Sequence, residues 1–169
     1  IWSVLREKGL ESVVNAGLSL GEYAALVASG VMTPEDAFRV VAKRGEYMQE
    51  AVPTGGAMAA VLGLEVETIE KICMETPGLV EIANDNCPGQ TVISGEAEAV
   101  RLAGEAMKAA GAKRVAMLNV SGPFHSSMLK GAGERLEPEL QRVRWLDSDI
   151  PYVSNTIAEL IRDKEKITP

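Results

Sequence analysis

N-A-G-L-S-L-G-E-Y-A-A, residues 15–25, is the stretch on which the reading of this chain turns. It contains G-x-S-x-G, with Ser19 between Gly17 and Gly21. The residues before it, S-V-V-N-A at 12–16, are short and β-branched and predict a buried strand. Residues 22–29 are rich in alanine and predict a helix that ends at Gly30. Strand, sharp turn and helix form the setting in which this pattern makes a nucleophile elbow. A side chain at either glycine is expected to crowd the strained turn against its strand and helix. The helix N-terminus aims unpaired N–H groups at whatever is bonded to Ser19. The pattern alone is weak, because a chain with sixteen glycines meets it easily by chance. The plain alternative is a glycine-rich turn with an ordinary serine.

Composition narrows the classes. A chain of 169 residues holds one ordinary domain, or one with a small domain inserted. An apolar content of 46% suits a globular protein, and no apolar run nears the ~20 residues of a membrane span. A net charge of −7 argues against nucleic acid as a partner. Cys73 and Cys87 form no C-x-x-C, and His125 is the one histidine, so no metal site is expected. Both cysteines read as reduced thiols of a cytoplasmic protein. There is no signal-peptide pattern, and Ile1 already sits in a helical pattern, as in a fragment or a processed chain.

Outward from the elbow, residues 1–8 carry apolar side chains at helical spacing up to Gly9. Thr33-Pro34-Glu35-Asp36 is a helix start: an N-cap, a proline at the first helical position and acids at the positive end of the dipole. That helix is expected to run to about residue 50. Thr54-Gly55-Gly56 reads as a hinge. Beyond it, 57–62 predicts a strand, 65–75 a helix, 79–83 and 91–94 two strands around the 84–90 loop, 97–110 a helix and 114–120 a strand. The order β-α-β-β-α-β is the ferredoxin-like unit. A small subdomain over 55–119, inserted between 1–54 and 120–169, is the expected organisation. Residues 126–143 predict a helix kinked or restarted at Pro138. Residues 150–154 predict a strand closed by Asn155, and 162–166 is a solvated charge run.

Two further residues bear on chemistry. Arg44 falls in the middle of the apolar stripe of its helix, formed by Ala37, Val40, Val41, Met48 and Ala51. A guanidinium there needs an acidic partner such as Glu22, or an anionic ligand whose carboxylate it would clamp. His125 follows a turn at a strand end. It is either an ordinary histidine or, if Ser19 is activated by an imidazole, the only available base.

Four blocks together resemble malonyl-CoA:acyl-carrier-protein transacylases. They are G-L-S-L-G-E-Y-A-A at 17–25, K-R-G-E-Y-M-Q at 43–49, A-N-D-N-C-P-G-Q-T-V-I-S-G at 83–95 and N-V-S-G-P-F-H-S at 119–126. Their order and spacing match the family across essentially the whole chain, which corresponds to about the middle half of the usual family sequence. The resemblance implies an α/β fold, with an α/β-hydrolase-like large subdomain and an inserted ferredoxin-like small one. It implies Ser19 as nucleophile, His125 as general base and acid, and the Leu20 N–H as one oxyanion donor. Arg44 would bind the malonyl carboxylate, with Phe124 marking malonyl selectivity, Met48 lining the acyl pocket, and Asn86 and Gln90 shaping the cleft. Substrate and partner would be malonyl-CoA and acyl carrier protein, with no metal or redox cofactor, no nucleic acid and no membrane.

The chain departs from that family in having Leu18 where His or Phe is common. No residue here matches the family's second oxyanion donor, a glutamine on an N-terminal loop, or the C-terminal carbonyl that orients the histidine. Two other readings stay open. A serine esterase or thioesterase with the same elbow would need an acid between Ser19 and His125, for which Asp85 is the candidate. A catalytically inert fragment would only bind the carrier protein. Because that carrier is acidic, docking calls for basic residues, and Lys108, Lys113, Arg114 and Lys130 are the candidates.

Overall fold

The computed structural model describes residues 1–120, 122–148 and 150–167. Ser121, within the N-V-S-G-P-F-H-S stretch, lies outside the described residues, as do Asp149, Thr168 and Pro169. In chain order the elements begin with α1 (Trp2–Glu7), β1 (Asn15–Ala16), α2 (Leu20–Ala28) and α3 (Pro34–Ala51). Next come β2 (Gly56–Leu62), α4 (Val66–Glu75), β3 (Val80–Cys87), β4 (Gln90–Glu96), α5 (Ala97–Ala109) and β5 (Arg114–Met117). A short 3-10 turn (Ser127–Leu129) then leads into α6 (Lys130–Gln141), followed by β6 (Tyr152–Val153) and β7 (Leu160–Ile161). The chain divides into two units, Ile1–Arg44 with Leu136–Pro169, and Gly45–Arg135. No helix among the described residues is long and apolar enough to cross a membrane.

The first unit is built on a three-stranded sheet of order β1-β6-β7. β1 and β6 are parallel, with Ala16 opposite Val153, and β7 runs antiparallel to β6. Parallel neighbours end on the same side, so the loops after β1 and β6 emerge together. β1 is shorter than expected and is not buried: Val13 and Val14 are exposed. The reason is its position, since it pairs with β6 alone and its other edge meets no strand of the described residues. β7 was invisible in the sequence because two residues carry no periodicity. Thr33 caps α3 as expected, its Oγ1 accepting the Asp36 N–H at 3.1 Å. Arg39 on α3 donates to Asp36 Oδ1 and to Glu139 Oε2, each at 2.8 Å, and so ties α3 to the end of α6. The Arg39 hydrogen bond holds the Asp36 carboxyl below its ordinary pKa.

The second unit carries a four-stranded antiparallel sheet of order β3-β4-β2-β5, with α4 and α5 packed on it. Ile69, Ile93, Val61, Val100 and Met107 are completely buried between sheet and helices. Burial of each such side chain contributes about 1.5–3 kcal/mol before entropy is counted. The expected 84–90 loop is mostly strand. β3 continues to Cys87 through two register shifts, between Ile82 and Asn84 and between Asp85 and Cys87. Those bulges let polar Asn and Asp residues stay in a ladder they would otherwise weaken. The turn shrinks to Pro88-Gly89, with Gly89 at φ 79°. α6 is preceded by the 3-10 turn, and it continues through Pro138 rather than restarting there. Pro138 has no N–H to give the carbonyl of Glu134 four residues back, so α6 runs on with one helical hydrogen bond fewer.

Candidate active site

Ser19 ends the turn after β1 and caps α2 with φ 52° and ψ −108°. Positive φ at a side-chain-bearing residue costs of order 1–3 kcal/mol and persists only where the surroundings hold it. The close approach that needs glycine is at Gly17, where a Cβ would overlap the Gly21 carbonyl. The same expectation for Gly21 is corrected: a Cβ there meets no heavy atom within 4 Å outside its own helix backbone. Gly21 lies one step into α2, on a side that no other described part of the chain approaches.

Two side chains reach Ser19, and a third holds the loop that carries one of them. Arg44 Nη2 on α3 donates to Ser19 Oγ at 2.9 Å. The Ser19 N–H donates to Asn155 Oδ1 at 2.6 Å. The Asn155 N–H in turn donates to Glu22 Oε1 at 2.8 Å. Glu22, which the sequence offered as a partner for Arg44, thus holds the backbone of the loop after β6. Leu20 opens α2, where the first N–H groups have no acceptor within the helix. The Ser19 N–H is already engaged, so the Leu20 N–H is the next donor along the turn.

Burial raises the pKa of the Tyr23 phenol, and Arg44 partly offsets the shift. Burial also raises that of Tyr152. Both rings line a cavity of ≈ 300 Å³ along α2, with Glu22, Leu26, Trp145 and Ile161. Neither Ser19 nor Arg44 lines it. Among the described residues no three His, Cys, Asp or Glu side chains converge as metal ligands would.

The remaining sequence candidates belong to the second unit. His125 is exposed and has φ 61°. Its turn is pinned on the following side: Ser126 Oγ donates to the Pro123 carbonyl at 2.7 Å, and the Ser127 N–H donates to Glu81 Oε2 at 2.7 Å. Phe124 and Met48 pack against one small cluster of Val52, Leu129 and Ala132. Asn86 is exposed near the end of β3, and Asp85, the acid an esterase would require, is exposed beside it. Gln90 opens β4, its Oε1 3.7 Å from Cys87 Sγ.

Asn155 and Glu81 were not singled out for chemistry. The only signal available was position: Asn155 follows a strand end, and Glu81 lies on a strand flanked by apolar residues.

Comparison with known proteins matches an acyl transferase domain to residues 2–166. The chain belongs to the acyl transferase domain family. It is 48% identical over 166 residues to the malonyl CoA-acyl carrier protein transacylase of Bacillus subtilis, covering 96% of this chain and 52% of the relative. Among solved structures it resembles the corresponding enzyme of Streptococcus pneumoniae (TM-score 0.90, 49% identity, 97% of this chain and 54% of that one). It also resembles a malonyl-transacylase solved in complex with a type II polyketide acyl-carrier protein (TM-score 0.92, 44% identity, 97% and 54%). The family member described here spans about half the length of these relatives.

Proposed function

We propose that this chain carries the elbow of a malonyl-CoA:acyl-carrier-protein transacylase. The reaction moves a malonyl group from malonyl-CoA to the phosphopantetheine thiol of acyl carrier protein, through an ester on Ser19, in cytoplasmic fatty acid biosynthesis. The observation that carries this reading is the Arg44 guanidinium within 2.9 Å of Ser19 Oγ. A fixed cation beside the nucleophile selects an acyl group that brings its own carboxylate, and arginine can meet that carboxylate with two parallel N–H groups.

In this mechanism Ser19 Oγ attacks the thioester carbonyl while His125 takes the hydroxyl proton. The Leu20 N–H at the start of α2 meets the charge that develops on the carbonyl oxygen. The C–S bond breaks, and His125 returns the proton to the departing CoA thiol. The malonyl ester stays on Ser19 with its carboxylate on Arg44. The carrier's thiol then attacks the ester, gives its proton to His125, and the serine hydroxyl is restored. Phe124 and Met48 border the acyl group, and Asn86 borders the cleft. The order of the four sequence blocks supports these roles.

We read residues 55–119 as a ferredoxin-like subdomain inserted into an α/β-hydrolase-like part, 1–54 with 120–169. The order β-α-β-β-α-β and the sheet order β3-β4-β2-β5 support that reading. Lys108, Lys113 and Arg114 cluster where α5 ends and β5 begins, and all three are exposed, as suits an acidic carrier.

The test is intact mass after mixing with malonyl-CoA, for wild type and Ser19→Ala. A malonyl adduct that is absent from the variant is expected. An adduct that survives in Ser19→Ala would overturn the assignment of the nucleophile, and no adduct in either chain would favour an inert fragment.

A further inference from the structure

Ser19 and Glu22 at the start of α2 and Asn155 after β6 form a closed ring of hydrogen bonds. The Ser19 N–H donates to Asn155 Oδ1, the Asn155 N–H donates to Glu22 Oε1, and the Glu22 N–H donates to the Ser19 carbonyl at 3.1 Å. Each residue gives one hydrogen and accepts one. Two of the three links join residues more than 130 positions apart, at separations of 136 and 133.

Asn155 is itself held on the far side. It lies in the β6–β7 turn, where the Ser154 N–H donates to the Glu159 carbonyl and the Ala158 N–H to the Ser154 carbonyl, each at 2.9 Å. The parallel pairing of β1 with β6 brings this turn level with the elbow. The ring therefore fastens a backbone that would otherwise relax from positive φ. It also occupies the Ser19 N–H.

We propose that Asn155 is a positioning residue: its side-chain carbonyl, oriented by Glu22, locks Ser19 in the positive-φ conformation that presents Oγ for attack. Asn155 acts through Ser19 and does not touch the acyl group. The proposal rests on Ser19 being the nucleophile.

The experiment uses the full 169-residue chain and a fluorophosphonate as serine probe, followed by intact mass. Amide exchange at Ser19 is read by NMR, and circular dichroism confirms folding of each variant. Asn155→Ala is expected to slow labelling of Ser19 by roughly 10- to 100-fold, as for a small misplacement of a reacting group. Its Ser19 N–H should exchange at least about tenfold faster. Asn155→Asp keeps an acceptor in the same place and should label close to the wild-type rate. Glu22→Ala, which opens the ring at another corner, should slow labelling in the same sense, while Glu22→Gln should not.

Wild-type labelling and wild-type exchange in Asn155→Ala would overturn the proposal, and so would equal loss in Asn155→Asp. A wild-type chain that takes no label overturns the nucleophile reading instead. In that event Ser19 exchange still decides whether the ring holds the turn.

Discussion

Arg44 Nη2 and Ser19 Oγ, 25 residues apart in the chain, lie within hydrogen-bond distance at 2.9 Å. The contact joins a helix-borne guanidinium to the elbow and sets a cation beside the serine hydroxyl. Removing it should change which acyl group loads. Arg44→Ala is expected to lower malonyl loading of Ser19 by about 10–100-fold, the worth of a hydrogen-bonded charge, and to favour acetyl relative to malonyl. Arg44→Lys should restore little, because an ammonium cannot offer two parallel donors. Competitive loading from a malonyl-CoA and acetyl-CoA mixture, read by mass, measures the ratio. An unchanged ratio would remove Arg44 from substrate selection.

The two elbow glycines should respond oppositely. Gly17→Ala drives a methyl group into the Gly21 carbonyl, and overpacking of this kind costs about 3 kcal/mol. Gly21→Ala meets open space on a helix and should stabilise by about 0.5–1 kcal/mol. Urea unfolding of the two variants checks both signs, and equal destabilisation would contradict the geometry.

Glu81 fastens the turn that carries His125 by accepting the Ser127 N–H at 2.7 Å. Glu81→Ala should cost about 1–2 kcal/mol and mobilise that turn, whereas Glu81→Gln, which still offers a carbonyl oxygen, should cost less. Thermal unfolding with amide exchange at Ser127 separates the two. Equal exchange in all three proteins would show that the contact is idle.

The two thiols should differ sharply. Cys73 is buried, and burial, with Glu70 and Glu81 nearby, pushes its pKa up to about 11, while Cys87 is exposed. A thiol reagent at pH 8 should take up one equivalent at Cys87 and reach Cys73 only on unfolding. The same shift has a sign in stability. The unfolded thiol titrates near 9.0, so the stabilisation from a protonated Cys73 is complete below that pH and is lost as pH rises through about 11. Stability should therefore fall between these values, and less so in Cys73→Ala. A parallel pH dependence in the two proteins would rule Cys73 out as the cause.

Thr91 on β4 is fully buried, and its hydroxyl has no hydrogen-bond partner among the described residues. Thr91→Val removes that polar atom without changing shape and should raise stability by about 1 kcal/mol. A loss of stability in chemical denaturation would mean the hydroxyl is satisfied after all.

Much of this architecture was legible in the residues. Thr33-Pro34 announced α3, Gly30 ended α2, and the apolar spacing of Ile69, Ile72 and Cys73 marked the buried face of α4. These features depend on neighbours within a turn or two, where capping, φ limits and periodicity act directly. Length was harder to judge where it depended on pairing. β3 runs on through Asn84 and Asp85 because β4 accepts it with bulges, and β1 stops short because only one strand of the described residues flanks it.

At the site the same division holds. Ser19, Arg44 and His125 stood out from the chain as residue types in suggestive settings. Nothing local marked Asn155 or told Glu22 to hold it rather than Arg44. That choice follows from two parallel strands ending side by side, which brings together an amide and a serine 136 positions apart. A hydrogen bond across that span has no periodicity to betray it. It exists because burying the sheet and helices fixes the two loop ends first, and the polar groups then pair with what they find beside them.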